Sequence, residues 1–203
     1  MKPSSEIQDQ TVRFYDEHAG EHAERTVAVD MSAIYTPFLE LLPAGGMILD
    51  AGCGSGRDSK FFAEKGYKVT AIDASAAYAK EASKRTGVSV RVMRFQDLDY
   101  GSQFDGIWAC ASLLHVPRGQ LVEVLNRFAR ALKPHGVFYV SVKEGTDERF
   151  DKENRYFNDM NEATFREQVE DTRSLRVRRT WLTGNRGAGT QTWLNAILGL
   201  QEP

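Results

Sequence analysis

Two cysteines, Cys53 and Cys110, are all that this sequence contains in 203 residues. They are too few and too far apart for a disulfide framework or a zinc site, and they fit a reducing, cytoplasmic setting. No apolar run approaches membrane-spanning length, and the opening residues Met1-Lys2-Pro3-Ser4-Ser5-Glu6 lack the apolar centre of a signal peptide, so no membrane partner is expected. Neither sign of charge dominates. Twenty-six Lys and Arg against 28 Asp and Glu leave a net charge of −2, which removes any global argument for a nucleic-acid partner. Six arginines between Arg166 and Arg186 are better explained by a solvated edge strand than by RNA binding, because no aromatic signature accompanies them. Metal-ligand clusters are missing as well: His18 and His22 stand at i, i+4 spacing, but no third ligand is evident and no metal site is expected. Repeats, low-complexity tracts and long linkers are also absent.

What is present suits one domain over residues 1–203, with 41% hydrophobic residues and enough length for a sizeable core. Residues 5–26 read as a helix capped by Ser4 or Ser5, and 31–42 as a second helix made doubtful by Pro37. From residue 47 strands and helices alternate. Strands are expected at 47–50, 68–73, 88–94, 104–110 and 137–142, with helices at 56–65, from Ser75 to before Gly87, and at 119–132. This rhythm argues for an α/β, Rossmann-like, mostly parallel sheet with helices on both faces. Residues 144–160 are charged and read as a mobile excursion outside the core. A helix near 161–170 follows, then strands around 175–182 and 190–198. The glycine-rich loop 184–189 between those strands would make a final antiparallel hairpin.

The chain is organised around Met47-Ile48-Leu49-Asp50-Ala51-Gly52-Cys53-Gly54-Ser55-Gly56-Arg57-Asp58. A buried strand, a tight glycine loop and a helix N-terminus in this order place a ligand at the carboxyl ends of the strands. A phosphate-binding loop needs Gly-Lys-Ser/Thr at its end, where this chain has Gly56-Arg57-Asp58. The dinucleotide fingerprint needs a third glycine where Arg57 stands. Asp50 before the loop and Asp58 after it disfavour a diphosphate and favour a cationic, phosphate-free ligand. Asp73 ends the second strand 21 residues after Gly52, a position suited to accepting both hydroxyls of a ribose. Asp97 is placed to accept from an adenine amino group, with the Leu98 amide beside it.

Five segments together resemble the class I S-adenosylmethionine-dependent methyltransferases: Asp50 to Gly56, Ile72-Asp73, Gln96-Asp97-Leu98, Phe104-Asp105-Gly106-Ile107-Trp108 and Leu132-Lys133-Pro134-His135-Gly136. The likeness covers roughly residues 45–145, with His135 where the family usually has a glycine. Trp108 to Pro117, Ser141 to Gly145, Arg155-Tyr156-Phe157 and Trp193-Leu194-Asn195 further resemble a small bacterial group related to tellurite-resistance methyltransferases. The resemblance implies a seven-stranded sheet and S-adenosylmethionine as cofactor, with S-adenosylhomocysteine as product. It also implies cofactor contacts from Asp50, Gly52, Cys53, Gly54, Asp73, Ala74, Asp97, Leu98 and Ala109. Residues 1–43 would be a helical lid with Tyr15 over the cofactor, 45–145 the cofactor core, and 146–203 the acceptor side.

In-line methyl transfer is expected, to a small-molecule acceptor. His115, just past the fourth strand, is the candidate base. Lys143, Arg155 and Tyr156 are candidates for holding an anionic acceptor. Trp193 is expected to pack as core, and both cysteines to be inert. A non-catalytic cofactor-binding module, a methyltransferase acting on a macromolecule and, more weakly, a dehydrogenase are the competing readings.

Overall fold

The computed structural model describes residues 4–184 and 190–201. Its elements run α1 (Ser4–Val27), α2 (Ser32–Leu39), β1 (Met47–Ala51), α3 (Arg57–Glu64), β2 (Lys68–Asp73), α4 (Ala76–Thr86), β3 (Val90–Val92) and β4 (Phe104–Cys110). Then come α5 (Arg118–Ala131), β5 (Leu132–Lys143), β6 (Glu148–Phe150), β7 (Tyr156–Asn158), α6 (Glu162–Glu170), β8 (Leu175–Thr183) and β9 (Trp193–Leu200). Seven strands form one sheet in the order β3-β2-β1-β4-β5-β9-β8. β1 to β5 are parallel, and β9 enters antiparallel between β5 and β8. This is the expected Rossmann-like sheet with its closing antiparallel pair. The expected hairpin residues 185–189 lie outside the described residues.

Alternation along the strands sends side chains to two faces. Ile48, Trp108, Val137, Tyr139 and Ile197 meet Met31, Ile34, Tyr35 and Phe38 of the α2 region and Phe62 of α3. On the other face Leu49, Ile107, Phe138, Val140 and Leu198 meet Leu121, Leu125 and Phe128 of α5 and Phe165 and Val169 of α6. Trp108 stacks on Tyr139 with ring centroids 3.9 Å apart and ring planes 19° from parallel, a contact that adds to the area it buries. Helix α2 is thus a wall of the core; of residues 1–43 it is α1 that leans over the carboxyl end of the sheet, bending at His18, whose φ and ψ are −118° and 17°.

Three expectations change. Strand β5 begins at Leu132, earlier than expected, and Lys133-Pro134-His135-Gly136 bulges out between the Leu132–Phe104 and Val137–Gly106 pairs, with His135 at φ 66°. The second helix stops at Leu39, soon after Pro37. Residues 144–160 are not a loose excursion: β6 and β7 pair as an antiparallel ribbon, and Tyr156 through Met160 are buried. Arg118 ties this ribbon down, with Nε donating to Asn158 Oδ1 at 3.1 Å and Nη2 to the Thr146 and Asp159 carbonyls.

Candidate functional site

The glycine loop is strained into shape by Gly52, Gly54 and Gly56, all at positive φ (77°, 51° and 76°). At Gly52 no other residue fits: a Cβ would lie 2.5 Å from the Cβ of Ser112, whose Oγ donates to the Ala51 carbonyl at 2.7 Å. The loop is anchored to the end of β2. Gly54 N donates to Asp73 Oδ2 at 2.8 Å, and Ser75 N donates to Asp73 Oδ1 at 2.9 Å. Each carboxylate oxygen can accept more than one hydrogen bond, so acceptor capacity remains. Burial pushes the Asp73 carboxyl up to about 6, against the hydrogen bonds it receives. Ser75 caps α4 by accepting from Tyr78 N at 3.1 Å.

A cavity of about 660 Å³ opens over this loop. Gly52, Cys53, Gly54, Asp73 and Ala74 line one side of it, continuing to Met93, Phe95 and Gln96. Tyr15 of α1 covers it, and it runs on to His115, Lys143, Arg155 and Phe157. Burial pushes both thiols up, that of Cys110 to about 12 and that of Cys53 well above its ordinary value.

Five candidate residues do not reach this space. Asp50 is only 1% exposed and accepts from Ser59 Oγ at 2.5 Å, beneath the loop. Burial and the Asp58 charge hold its carboxyl well above the usual carboxylate range. The expected contact from its carboxylate to a ligand is therefore corrected. The acids nearest the ligand space are Asp73 and Asp58, and Asp58 is neutralised by Arg57, Nε to Oδ1 at 2.6 Å. Tyr35 OH at 2.5 Å and Trp108 Nε1 at 2.8 Å also donate to Asp58. Burial raises the Asp58 pKa, but these donors and Arg57 outweigh it and keep the carboxyl low. Leu98 and Ala109 are 1% and 0% exposed and pack into the core, and Asp97 projects to solvent. Phe95 and Gln96, just before Asp97 in the chain, line the cavity in their place. Tyr156 is buried outside the cavity with its hydroxyl on Glu148.

The acceptor-side cations also differ from expectation. Arg155 is held by Asp151 at 2.7 Å and by Glu153 at 2.8 Å. Lys143 forms no ion pair among the described residues; its Nζ sits 3.5 Å from the Phe157 ring centroid, and burial, with Arg149 nearby, lowers its pKa. His115 bridges two elements: its Nε2 is 2.8 Å from Tyr15 OH and its Nδ1 2.7 Å from the Tyr156 carbonyl. Trp193 packs against the core as expected and lines the cavity as well; Tyr139 and Asn195, whose bond of 2.7 Å the sequence did not signal, also line it. Among the described residues no group of three or more His, Cys, Asp or Glu is placed to hold a metal ion, and no helix is long and apolar enough to cross a membrane.

Comparison with known proteins bears on the fold and on residues 48–136. Residues 48–136 match the family model described as "Methyltransferase domain". A ubiquinone biosynthesis O-methyltransferase of Xanthomonas axonopodis pv. citri is 36% identical over 117 residues, covering 54% of this chain and 48% of that protein. The chain spans about half the length of the curated relatives it matches first. Among solved structures, 1,6-didemethyltoxoflavin-N1-methyltransferase of Burkholderia thailandensis superposes with a TM-score of 0.80 at 23% identity, over 100% of this chain and 92% of that one. A TehB-like methyltransferase of Corynebacterium glutamicum gives 0.71 at 19% identity, over 91% and 99%. These likenesses, at under 25% identity, bear on the fold; the likeness to tellurite-resistance proteins goes no further. On this loop and this sheet order, residues 48–136 match a methyltransferase domain, and the solved structures that share the fold include methyltransferases with S-adenosylmethionine or S-adenosylhomocysteine bound.

Proposed function

We propose that the chain transfers a methyl group from S-adenosylmethionine to a small organic acceptor. One observation carries the reading: Asp73 is fixed by two backbone amides at the edge of a cavity that continues, past the glycine loop, to a histidine and a lysine. Donor and acceptor can therefore share one space. At about 660 Å³ it falls in the range of small-molecule sites, which favours a small acceptor over a macromolecule.

In this reading Asp73 and Ala74 hold the ribose, Met93, Phe95 and Gln96 flank the base, and Gly52, Cys53 and Gly54 bring main chain against the methionine moiety. Bound there, S-adenosylmethionine supplies a methyl group on a sulfonium, whose departure leaves a neutral thioether. The protein contributes alignment, which in well-oriented reactions is worth up to ~7–11 kcal/mol, and exclusion of water by α1 and the β6–β7 ribbon. Lys143, which has no ion pair among the described residues, is placed to meet negative charge on an acceptor, whereas Arg155 is paired with Asp151 and Glu153. The free state of both cysteines suits a reducing, cytoplasmic setting.

Isothermal titration of the purified chain with S-adenosylhomocysteine tests the donor half. Binding lost in Asp73→Ala is expected; no binding by the wild type sinks the proposal. Release of S-adenosylhomocysteine over a panel of phenols, thiols and amines tests the acceptor half, and binding without turnover on any would favour a non-catalytic module.

A further inference from the structure

We infer that Tyr15 and His115 form a two-residue proton relay serving an acceptor that enters as a neutral protic group, a phenol, an enol or a heteroaromatic N–H. The inference rests on the methyltransferase reading above and deepens it by naming the acceptor class.

The hydrogen bonds fix the tautomer. The Tyr156 carbonyl can only accept, so His115 Nδ1 carries a proton and donates to it at 2.7 Å. In the neutral ring Nε2 is then a lone pair, and the Tyr15 hydroxyl donates to it at 2.8 Å. An acceptor in the cavity cannot reach Nε2 directly while this bond stands. It meets the Tyr15 oxygen, which accepts as well as donates. The imidazole cannot drift away from its partner, because the Tyr156 peptide is held on the other side, its N–H donating to Thr11 Oγ1 at 3.0 Å. Thr11 and Tyr15 lie one turn apart on α1, so one helix face carries both ends of the clamp.

The charges around the pair support transfer in one direction. From the β6–β7 ribbon Arg155 and Asp151, from β5 Lys143, from β2 Asp73, and from α4 Tyr78 face the two rings. Burial raises the Tyr15 phenol to about 12, and the positive charge and hydrogen bond of Arg155 oppose that rise. Arg155 thus stabilises phenolate character at the moment Tyr15 passes its proton on. Burial lowers His115 to about 4, so at neutral pH its lone pair is available. A base this weak would not ionise a free phenol. It suffices once methylation has begun, because a protonated ether or an N-methylated heteroaryl N–H is a far stronger acid than imidazolium. In the step, the acceptor heteroatom would bond to the methyl carbon as that carbon's bond to the sulfonium breaks, the electron pair going to sulfur, and the X–H proton would pass to Tyr15 Oη. The proton of Tyr15 moves to His115 Nε2, and the imidazolium later releases it to solvent. An acceptor already ionised would leave the relay idle.

Two measurements on the full chain decide the matter. The first is nitrogen-15 NMR of the histidine side chains in wild type and in His115→Gln. His115 is expected purely as the Nδ1–H tautomer and neutral down to pH 5; an Nε2–H tautomer, or an imidazolium at neutral pH, overturns the relay. The second is turnover with S-adenosylmethionine and a probe panel of catechol, 2-naphthol and 2-hydroxypyridine, all neutral at pH 7. At least one probe should be methylated with a kcat, read at saturating S-adenosylmethionine, that is level from about pH 5 to pH 7. His115→Gln keeps both an acceptor for Tyr15 and a donor for Tyr156 but cannot take a proton. It should lose ~10²–10⁴-fold in kcat with little change in KM, and Tyr15→Phe should lose as much. Retention of kcat in His115→Gln would reduce the residue to a structural clamp and refute the relay. If the wild type binds S-adenosylhomocysteine but methylates none of the three probes, the acceptor class is wrong while the methyltransferase reading stands. Failure to bind S-adenosylhomocysteine would instead fail that reading.

Discussion

Removing the Asp73 carboxylate should cost the chain its donor affinity while sparing its fold. Each hydrogen bond from a ligand hydroxyl to a charged carboxylate is worth ~1.5–3 kcal/mol, so two ribose hydroxyls account for at least ~3 kcal/mol. That corresponds to about a 150-fold weaker Kd for S-adenosylhomocysteine in Asp73→Ala. The substitution also releases the Gly54 and Ser75 amides from their 2.8 and 2.9 Å bonds, which loosens the loop and adds to the loss. The same carboxyl sets a pH dependence. Burial holds it at about 6 in the folded chain against 3.8 ordinarily. Hydroxyl donors need the ionised form, so affinity should be level above about pH 7 and fall toward tenfold per pH unit below about 6. Folding responds with the opposite sign. The folded state keeps a proton that the unfolded chain releases between pH 3.8 and about 6, so this group's contribution to stability falls as pH rises through that window. Titration calorimetry across pH 5 to 8, with thermal melts to confirm folding, measures both. A Kd changed less than tenfold in a folded Asp73→Ala, or a wild-type affinity flat down to pH 5, would refute the assignment.

Three further substitutions probe the scaffold. Trp108→Phe deletes the 2.8 Å bond to buried Asp58 and should cost about 1–3 kcal/mol, read as a lower urea midpoint at unchanged slope. Gly106→Ala would place a Cβ 2.7 Å from Phe38 Cζ and 3.0 Å from both Leu42 methyls; about 1–3 kcal/mol of overpacking is expected, partly relieved by Phe38→Leu. Thr11→Val strands the buried Tyr156 amide, and hydrogen exchange at that amide should accelerate by roughly tenfold or more for the ~1–3 kcal/mol lost.

The parts of the fold that sequence made legible are those fixed locally. Short apolar runs bounded by turn residues mark β1 and β4, and the glycines mark the turn after β1. Asp73 could be placed because it is the last residue of its strand. Asp50 misled because it lies one residue short of the end of β1, paired with Ala71 and Trp108 inside the sheet, and that depth is set by register. Ala109 misled in the same way, since the next residue, Cys110, lines the cavity; Leu98 turns into the core two residues past Gln96. The β6–β7 ribbon was invisible because its strands have three residues each, too few for a pattern. What holds it is Arg118, 40 residues away from Asn158 in the chain. The Tyr15–His115 pair spans 100 residues and needs both the α1 bend and the ribbon to exist.

At residue 156 the two contacts that matter to α1 and to His115 are made by the peptide, through N–H and C=O, and not by the tyrosine ring. Alanine scanning would therefore report the loss of a phenol bonded to Glu148 and miss the position's larger part. Information here is stored in strand register, so a one-residue insertion or deletion between Glu148 and Asn158 would do what no side-chain replacement at 156 can: turn the carbonyl away from the imidazole and unlatch the helix above it.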